Sequence, residues 1–228
     1  MKKDIAIIAA AQNISPETIE RFKDGVRSSK PAYGYDILIG GSKEEKFFKT
    51  KILNQLIRDN LNKYNVIIQT DIDLIVPPTL INRTYEGVAY GNRTAYHHSL
   101  RYVDAKQIAG LRYDKYPFLE WVNLQSMFCS GCWNGMSVET WRRTRGYNEE
   151  MFAWGYEDTE FFHRSRRLGI QWIKRKEFAL VHINHETRQK NMVKENTSVG
   201  NKYADQTDWL QGIKVLKEDR KKKKVAII

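Results

Sequence analysis

The chain has 228 residues, 41% of them hydrophobic and 29% charged, with a formal net charge of +11. That length supports one domain with a sizeable core, and residues 1–228 read as a single domain ending in a basic tail over 214–228. No run approaches the roughly 18 apolar residues of a membrane span, and the basic balance favours anionic partners: nucleotide phosphates, nucleic acid or an anionic membrane surface.

The opening "MKKDIAIIAAAQNISPE" looks briefly like a signal peptide. Its apolar run is short, however, and flows into a capped helix rather than a cleavage site. It is read as a first buried strand, with the protein expected in the cytosol. "SPETIERFKDGVRSS" follows as a helix with Ser15 as N-cap and Pro16 at the first helical position. "YDILIGGS" is a second strand ending in a Gly-Gly-Ser loop. "KEEKFFKTKILNQLIRDNLNKY" is an amphipathic helix with Phe48, Ile52, Leu56 and Leu61 on or near one face. "NVIIQTDIDLIVPP" gives a third strand, two aspartates and a Pro-Pro stop. Alternating strands and helices predict an α/β fold with a parallel sheet, whose ligands bind beyond the C-terminal ends of the strands.

Residues 79 to 128 read as short strands and loops. "FCSGCW" holds both cysteines, Cys129 and Cys132, read as two buried thiols, since no second pair completes a zinc site. "SVETWRRTRGYNEE" is a short helix capped at Ser137 with a turn at Gly146. In "FAWGYEDTEFFHRSRRLG" the apolar stripe of Phe161, Phe162 and Leu168 predicts a helix that Asp158 can begin and Gly169 can stop. "QWIKRKEFALVHINHE" is strand-like, and the remainder is polar, with weak helical signal around "DWLQGIKVLKEDRKKKK". The lysine run there reads as a solvated tail, or as a weak electrostatic contact to an anionic membrane at its inner face.

Three constellations carry chemistry. Asp71 and Asp73 follow the third strand; if the segment stays extended, alternation points both carboxylates the same way. Paired hard oxygens suit Mn²⁺ or Mg²⁺ bridging to phosphate; the bland alternative is a solvated loop. His182 and His185 lie three apart after an apolar strand, and imidazole is a common transition-metal ligand; the alternative is a pair of ordinary core or surface histidines. Glu157 and Asp158 sit at a helix start, where the dipole stabilises acids and carboxylates cap open N–H groups. Beside them, Trp154, Gly155 and Tyr156 form an aromatic–glycine–aromatic platform, read as exposed, which is what a sugar site needs. One carboxylate there can act as a general base.

These residues resemble the GT-A glycosyltransferases, specifically the β-1,4-galactosyltransferase group and its bacterial relatives, over roughly Phe47 to Arg188. "FFKTKILNQ" resembles the family's F-N-R-A-K-L-L-N helix, with Lys49 at the arginine position and Lys51 and Asn54 retained. "QTDIDLIV" resembles S-D-V-D-L-I, "GYNEEMFAWGYEDTEFFHR" resembles G-F-x-N-x-x-W-G-W-G-G-E-D-D-D-x-x-x-R, and "VHINHETR" resembles M-I-R-H-S-R. The resemblance implies a GT-A fold with a mostly parallel central sheet flanked by helices. It implies a metal-dependent, inverting hexosyltransferase that uses a nucleotide-sugar donor, a UDP-sugar by analogy, and a glycan or other hydroxyl acceptor. Mn²⁺ (or Mg²⁺) would be held by Asp73 and His185, with His182 at a methionine ligand position. Asp158 would be the base and Glu157 an acceptor contact. Asp71, Lys49, Lys51, Trp154 and Gly155 would serve the donor, Trp154 on a closing loop. Tyr156 replaces a glycine and Thr159 an acid, so both are expected to shape the acceptor site. Two other readings stay open. One is a protein directed at nucleic acid, either a transferase for modified DNA bases or a binding module. The other is an inactive sugar-binding domain.

Overall fold

The structure, a computed structural model, describes residues 3–12, 14–41, 48–76, 79–91, 94–104, 126–127, 131–152, 155–184, 193–204 and 226–227. Only the backbone is described for 96–104, 126–127, 174–184, 193, 201–204 and 226–227. The strands are β1 (Lys3–Ala10), β2 (Tyr35–Gly41), β3 (Tyr64–Thr70), β4 (Leu74–Ile75), β5 (Thr94–Asp104), β6 (Ser126–Met127), β7 (Trp133–Ser137), β8 (Gln171–Asn184) and β9 (Ala226–Ile227). The helices are α1 (Pro16–Ser28), α2 (Lys49–Asn60), α3 (Leu80–Val88), α4 (Val138–Thr144), α5 (Glu157–Arg167) and α6 (Val193–Ala204).

Among the described residues the strands form one sheet in the order β4-β8-β5-β7-β3-β1-β2-β9, with β6 on β5. β1 pairs parallel with β2 and β3, and β5 pairs parallel with β8. β7 lies antiparallel between β3 and β5. All the long strands except β7 therefore run one way, and their C-terminal ends share one edge.

Both faces of the sheet are covered, which explains the unbroken apolar run of β1. Ile5, Ile7 and Ala9 join Phe22 and Val26 of α1 and Leu80, Ile81 and Val88 of α3 in one core. Ala6 and Ile8 point the other way, to Ile52, Leu53, Leu56 and Ile57 of α2, Trp141 of α4 and Phe161 of α5. The helix ends follow local chemistry. Thr18 N donates to Ser15 Oγ (3.2 Å) and Thr140 N to Ser137 Oγ (3.2 Å), the two caps the sequence predicts. Gly169 closes α5 with φ +76°.

Several sequence expectations change. Leu80–Val88 is a helix, not strands and loops: Leu80, Ile81, Thr84, Tyr85 and Val88 are buried at helical spacing. α6 occupies part of the polar region that carried no assigned element. β9 ends the basic tail by pairing antiparallel with Gly40 and Gly41 of β2. The lysine run, the "DWLQGIK" stretch and residues 43–47, expected as the start of α2, lie outside the described residues. Among the described residues, no helix is long and apolar enough to cross a membrane.

Candidate active site

The site forms where the C-terminal end of β3 meets the start of β7. Thr70 pairs with Trp133, and Asp71 N donates to Cys132 O at 3.1 Å. Residues 71–73 then turn into β4 instead of staying extended, so strand alternation does not aim the two aspartates. Both are half-buried.

α2 and α5 bring their first turns to this edge. Lys49 Nζ lies 3.0 Å from Asp71 Oδ1, 3.3 Å from Glu157 Oε1 and 3.7 Å from Asp158 Oδ2. The lysine side chain is 8% exposed, Glu157 3% and Asp158 18%, so the cluster is largely removed from water. Burial alone would push the Lys49 ammonium down. The charges of Asp158, Asp71 and Glu157 outweigh it and hold Lys49 well above the ordinary lysine value. Among the described residues, one lysine thus faces three carboxylates, which can accept hydrogen bonds from hydroxyls.

The acids at the head of α5 do not cap it. Its N-cap is Tyr156, with φ +72° and no side-chain cap hydrogen bond. Glu157 instead turns back and accepts from Gly155 N (2.8 Å) through Oε2. Asp158 therefore stands in the first turn and does not begin the helix, although both acids keep the favourable end of the dipole. The left-handed backbone at 156 accounts for the glycine in the resembling pattern.

Tyr156 is half-buried, which corrects the expected exposed platform. Its ring packs on α6, where a Cβ at Gly200 would fall 2.7 Å from Tyr156 Cε1.

A polar floor lies beneath Asp158. A Cβ at Gly131 would come within 1.7 Å of the Asp158 carboxyl carbon, so the carboxylate occupies space that only glycine leaves open. Gly131 O accepts from Gln69 Nε2 (3.0 Å), and Gln69 Oε1 accepts from Tyr147 Oη (2.7 Å) and Asn134 Nδ2 (3.0 Å). Burial, then the nearby charge of Asp158, push the Tyr147 phenol well above its ordinary value, so it stays protonated as the donor in this network.

α2 also clamps the loop that leads to the site. Asn54 Nδ2 donates to Tyr147 O (2.8 Å), Asn54 Oδ1 accepts from Tyr147 N (2.8 Å), and Thr50 Oγ1 donates to Met151 O (2.9 Å). Asn196 of α6 holds the next stretch, donating from Nδ2 to Phe152 O (3.0 Å) and Gly155 O (2.7 Å). The buried Arg164 pairs with Glu160 and donates to Thr144 O and Gly146 O, tying α5 to the same turn.

Of the sequence-predicted site residues, Asp71, Lys49, Glu157 and Asp158 converge, with Gly155 bound to Glu157. Thr159 is half-buried on α5. Lys51 is exposed, with its ammonium 4.0 Å from the centre of the Phe48 ring, outside the cluster. His182 lies on β8, its backbone paired with Leu74, the residue after Asp73. The His182 side chain, and the whole of His185 and Trp154, lie outside the described residues. Among the described residues no three His, Cys, Asp or Glu side chains form a group that could hold a metal. Of the two cysteines, Cys132 is fully buried and Cys129 lies outside the described residues. Gly131, Gln69, Tyr147 and Asn196 were not singled out from sequence.

The fold is that of the GT-A glycosyltransferases. The catalytic domain of Drosophila β1,4-galactosyltransferase 7, solved with xylobiose, superposes with a TM-score of 0.62 at 16% identity, over 91% of this chain and 83% of that one. A mutant of the same enzyme, with manganese, UDP-Gal and xylobiose, gives 0.58 at 16% identity, over 86% and 79%. A mannosyltransferase from Pyrobaculum calidifontis, with GDP-Man and Mn²⁺, gives 0.59 at 14% identity, over 82% and 59%. Within that class the resemblance to galactosyltransferases holds: a family model described as the N-terminal domain of galactosyltransferase matches residues 121–194, the span that holds Gly131, Glu157 and Asp158. No curated protein matches the chain in sequence.

Proposed function

We propose that the chain is an inverting glycosyltransferase that moves a hexosyl group from a nucleotide-diphosphate sugar, a UDP-sugar by preference, to a hydroxyl of a carbohydrate acceptor. The observation that carries this reading is the convergence on Lys49 of Asp71, from the end of β3, with Glu157 and Asp158, from the start of α5. It joins the two acidic motifs at the sheet edge where α/β proteins bind ligands. UDP-Gal with manganese, and xylobiose, in the structurally similar galactosyltransferase support the donor and acceptor classes.

In this reading Asp158 accepts the proton of the acceptor hydroxyl, and Glu157 orients the acceptor through its other hydroxyls. The acceptor oxygen forms its bond to the anomeric carbon on the face opposite the leaving group. The bond to the diphosphate breaks, its electron pair leaves with the nucleotide, and the configuration inverts. Asp71 contacts the donor, and Trp154 and Gly155 belong to the loop that closes over it. Tyr156 and Thr159 shape acceptor choice. Holding both substrates in attack geometry supplies much of the acceleration.

The residues suit a divalent ion. Asp73, His182 and His185 would hold Mn²⁺ or Mg²⁺, and the backbone pairing of His182 with Leu74, the residue after Asp73, supports this. When bound, the ion would neutralise charge on the departing diphosphate. Thermal unfolding with a panel of nucleotide-sugars, with and without Mn²⁺, tests the reading. A ligand selective for the folded state raises the midpoint. Stabilisation by one donor only when Mn²⁺ is present is expected, and no response to any of them would count against it.

A further inference from the structure

We infer that Lys49 is the positioning residue of the base: it fixes the Asp158 carboxylate, together with Glu157 and Asp71, at one point between the donor and acceptor sides. The inference rests on the reading of Asp158 as base, and it gives Lys49 a duty other than contact with donor phosphates.

Lys49 is ion-paired with three carboxylates at once. An ammonium has three N–H donors and no acceptor. Here it faces three carboxylate oxygens, at 3.0, 3.3 and 3.7 Å. A lysine engaged in this way is a hub among acids. Lys49 opens α2, the helix whose Thr50 and Asn54 bind the backbone of Met151 and Tyr147. The ammonium and the loop that leads to α5, which carries Glu157 and Asp158, are thus held from one rigid element. Asp158 also has little slack, because its carboxylate fills the space above Gly131. Any turn of Asp158 away from Gly131 changes its distance to Lys49.

Among the described residues, the charged and titratable groups near the Asp158 carboxylate include Lys49 from α2, Glu157 beside it on α5, Asp71 at the end of β3, and Tyr147 from the loop after α4. Lys49 is the cation that the three carboxylates share. Without it, the acids would share a proton, and a protonated Asp158 accepts nothing from a hydroxyl.

The test is a ¹³C NMR titration of the Asp158 carboxyl, assigned by its loss in Asp158→Asn, in the parent protein, Lys49→Met and Lys49→Arg. The midpoint is expected to rise by about one pH unit or more in Lys49→Met and to stay near the parent value in Lys49→Arg. Should Lys49→Met fail to fold, Lys49→Met with Glu157→Gln is compared with Glu157→Gln alone, and the same upward shift is expected. An unmoved midpoint in the methionine variant would overturn the inference, because a lysine that serves only the donor does not govern Asp158. The titration uses no sugar donor, so its outcome is separate from that of the transferase reading, which turnover decides.

Discussion

The Asp158 carboxylate rests directly on the backbone of Gly131: a methyl group on Gly131 would stand 1.7 Å from the carboxyl carbon. The two residues come from different elements, the loop before β7 and the first turn of α5, so the contact is made only in the folded protein. Gly131→Ala must displace the carboxylate. Turnover is expected to fall about 100-fold, the scale of a misplaced reacting group, with the fold retained. In an Asp158→Asn background the same change should add no further loss. Steady-state rates of the four proteins check this.

Asn54 satisfies both backbone groups of Tyr147 at 2.8 Å. Asn54→Leu leaves a buried N–H and C=O without those bonds, at about 1–3 kcal/mol for each orphaned group. Urea unfolding should show a loss of about 2–6 kcal/mol on that basis, and turnover should fall as well, because the loop leads to α5, which carries Glu157 and Asp158. A loss no larger than that of an exposed surface change would show that the clamp does not hold the loop.

Asp36 supplies a pH dependence remote from the site. Its hydrogen bonds from Lys3 Nζ and Tyr64 Oη keep its carboxyl below the ordinary 3.8. A depressed folded value means that the stabilisation is complete above the unfolded value and is lost as pH falls through the folded one. Asp36→Asn is therefore expected to destabilise the protein at neutral pH and to make no difference near pH 2. Thermal unfolding of the pair across that range measures it.

Chelation should weaken nucleotide binding. UDP is expected to bind about tenfold or more tightly, 1.4 kcal/mol, in Mn²⁺ than in EDTA. Asp73→Ala should erase the difference. Calorimetry with UDP reads both, and equal affinities in metal and chelator would remove the metal from the account.

The first half of the fold was readable because its signals are local. A continuous apolar run marks β1, Ser15 and Pro16 mark α1, and the Pro-Pro stop marks the end of the Asp71–Asp73 segment. α3 was hidden because that stop precedes a helix whose N-cap, Thr79, sits at φ +69° with no capping side chain. Asp71, Glu157 and Asp158 were readable as acids at element ends. What gathers them was not: a lysine more than 100 residues before α5 in sequence has no pattern linking it to Glu157. Gly131, between two cysteines, reads as an ordinary loop glycine until Asp158 is placed over it. Asn196 acts across 44 residues on Phe152, from a helix in polar sequence. Tyr156 takes the helix-start role expected of Asp158, because the backbone turns through the left-handed region there.

The most direct measurement of the central claim is release of nucleotide diphosphate from a panel of UDP- and GDP-sugars with Mn²⁺, by the parent protein and by Asp158→Asn. One donor is expected to be turned over by the parent protein. A drop of about 10²–10⁴-fold is expected in the variant, the range for loss of a general base, with donor affinity nearly unchanged. Equal turnover by Asp158→Asn would contradict the account.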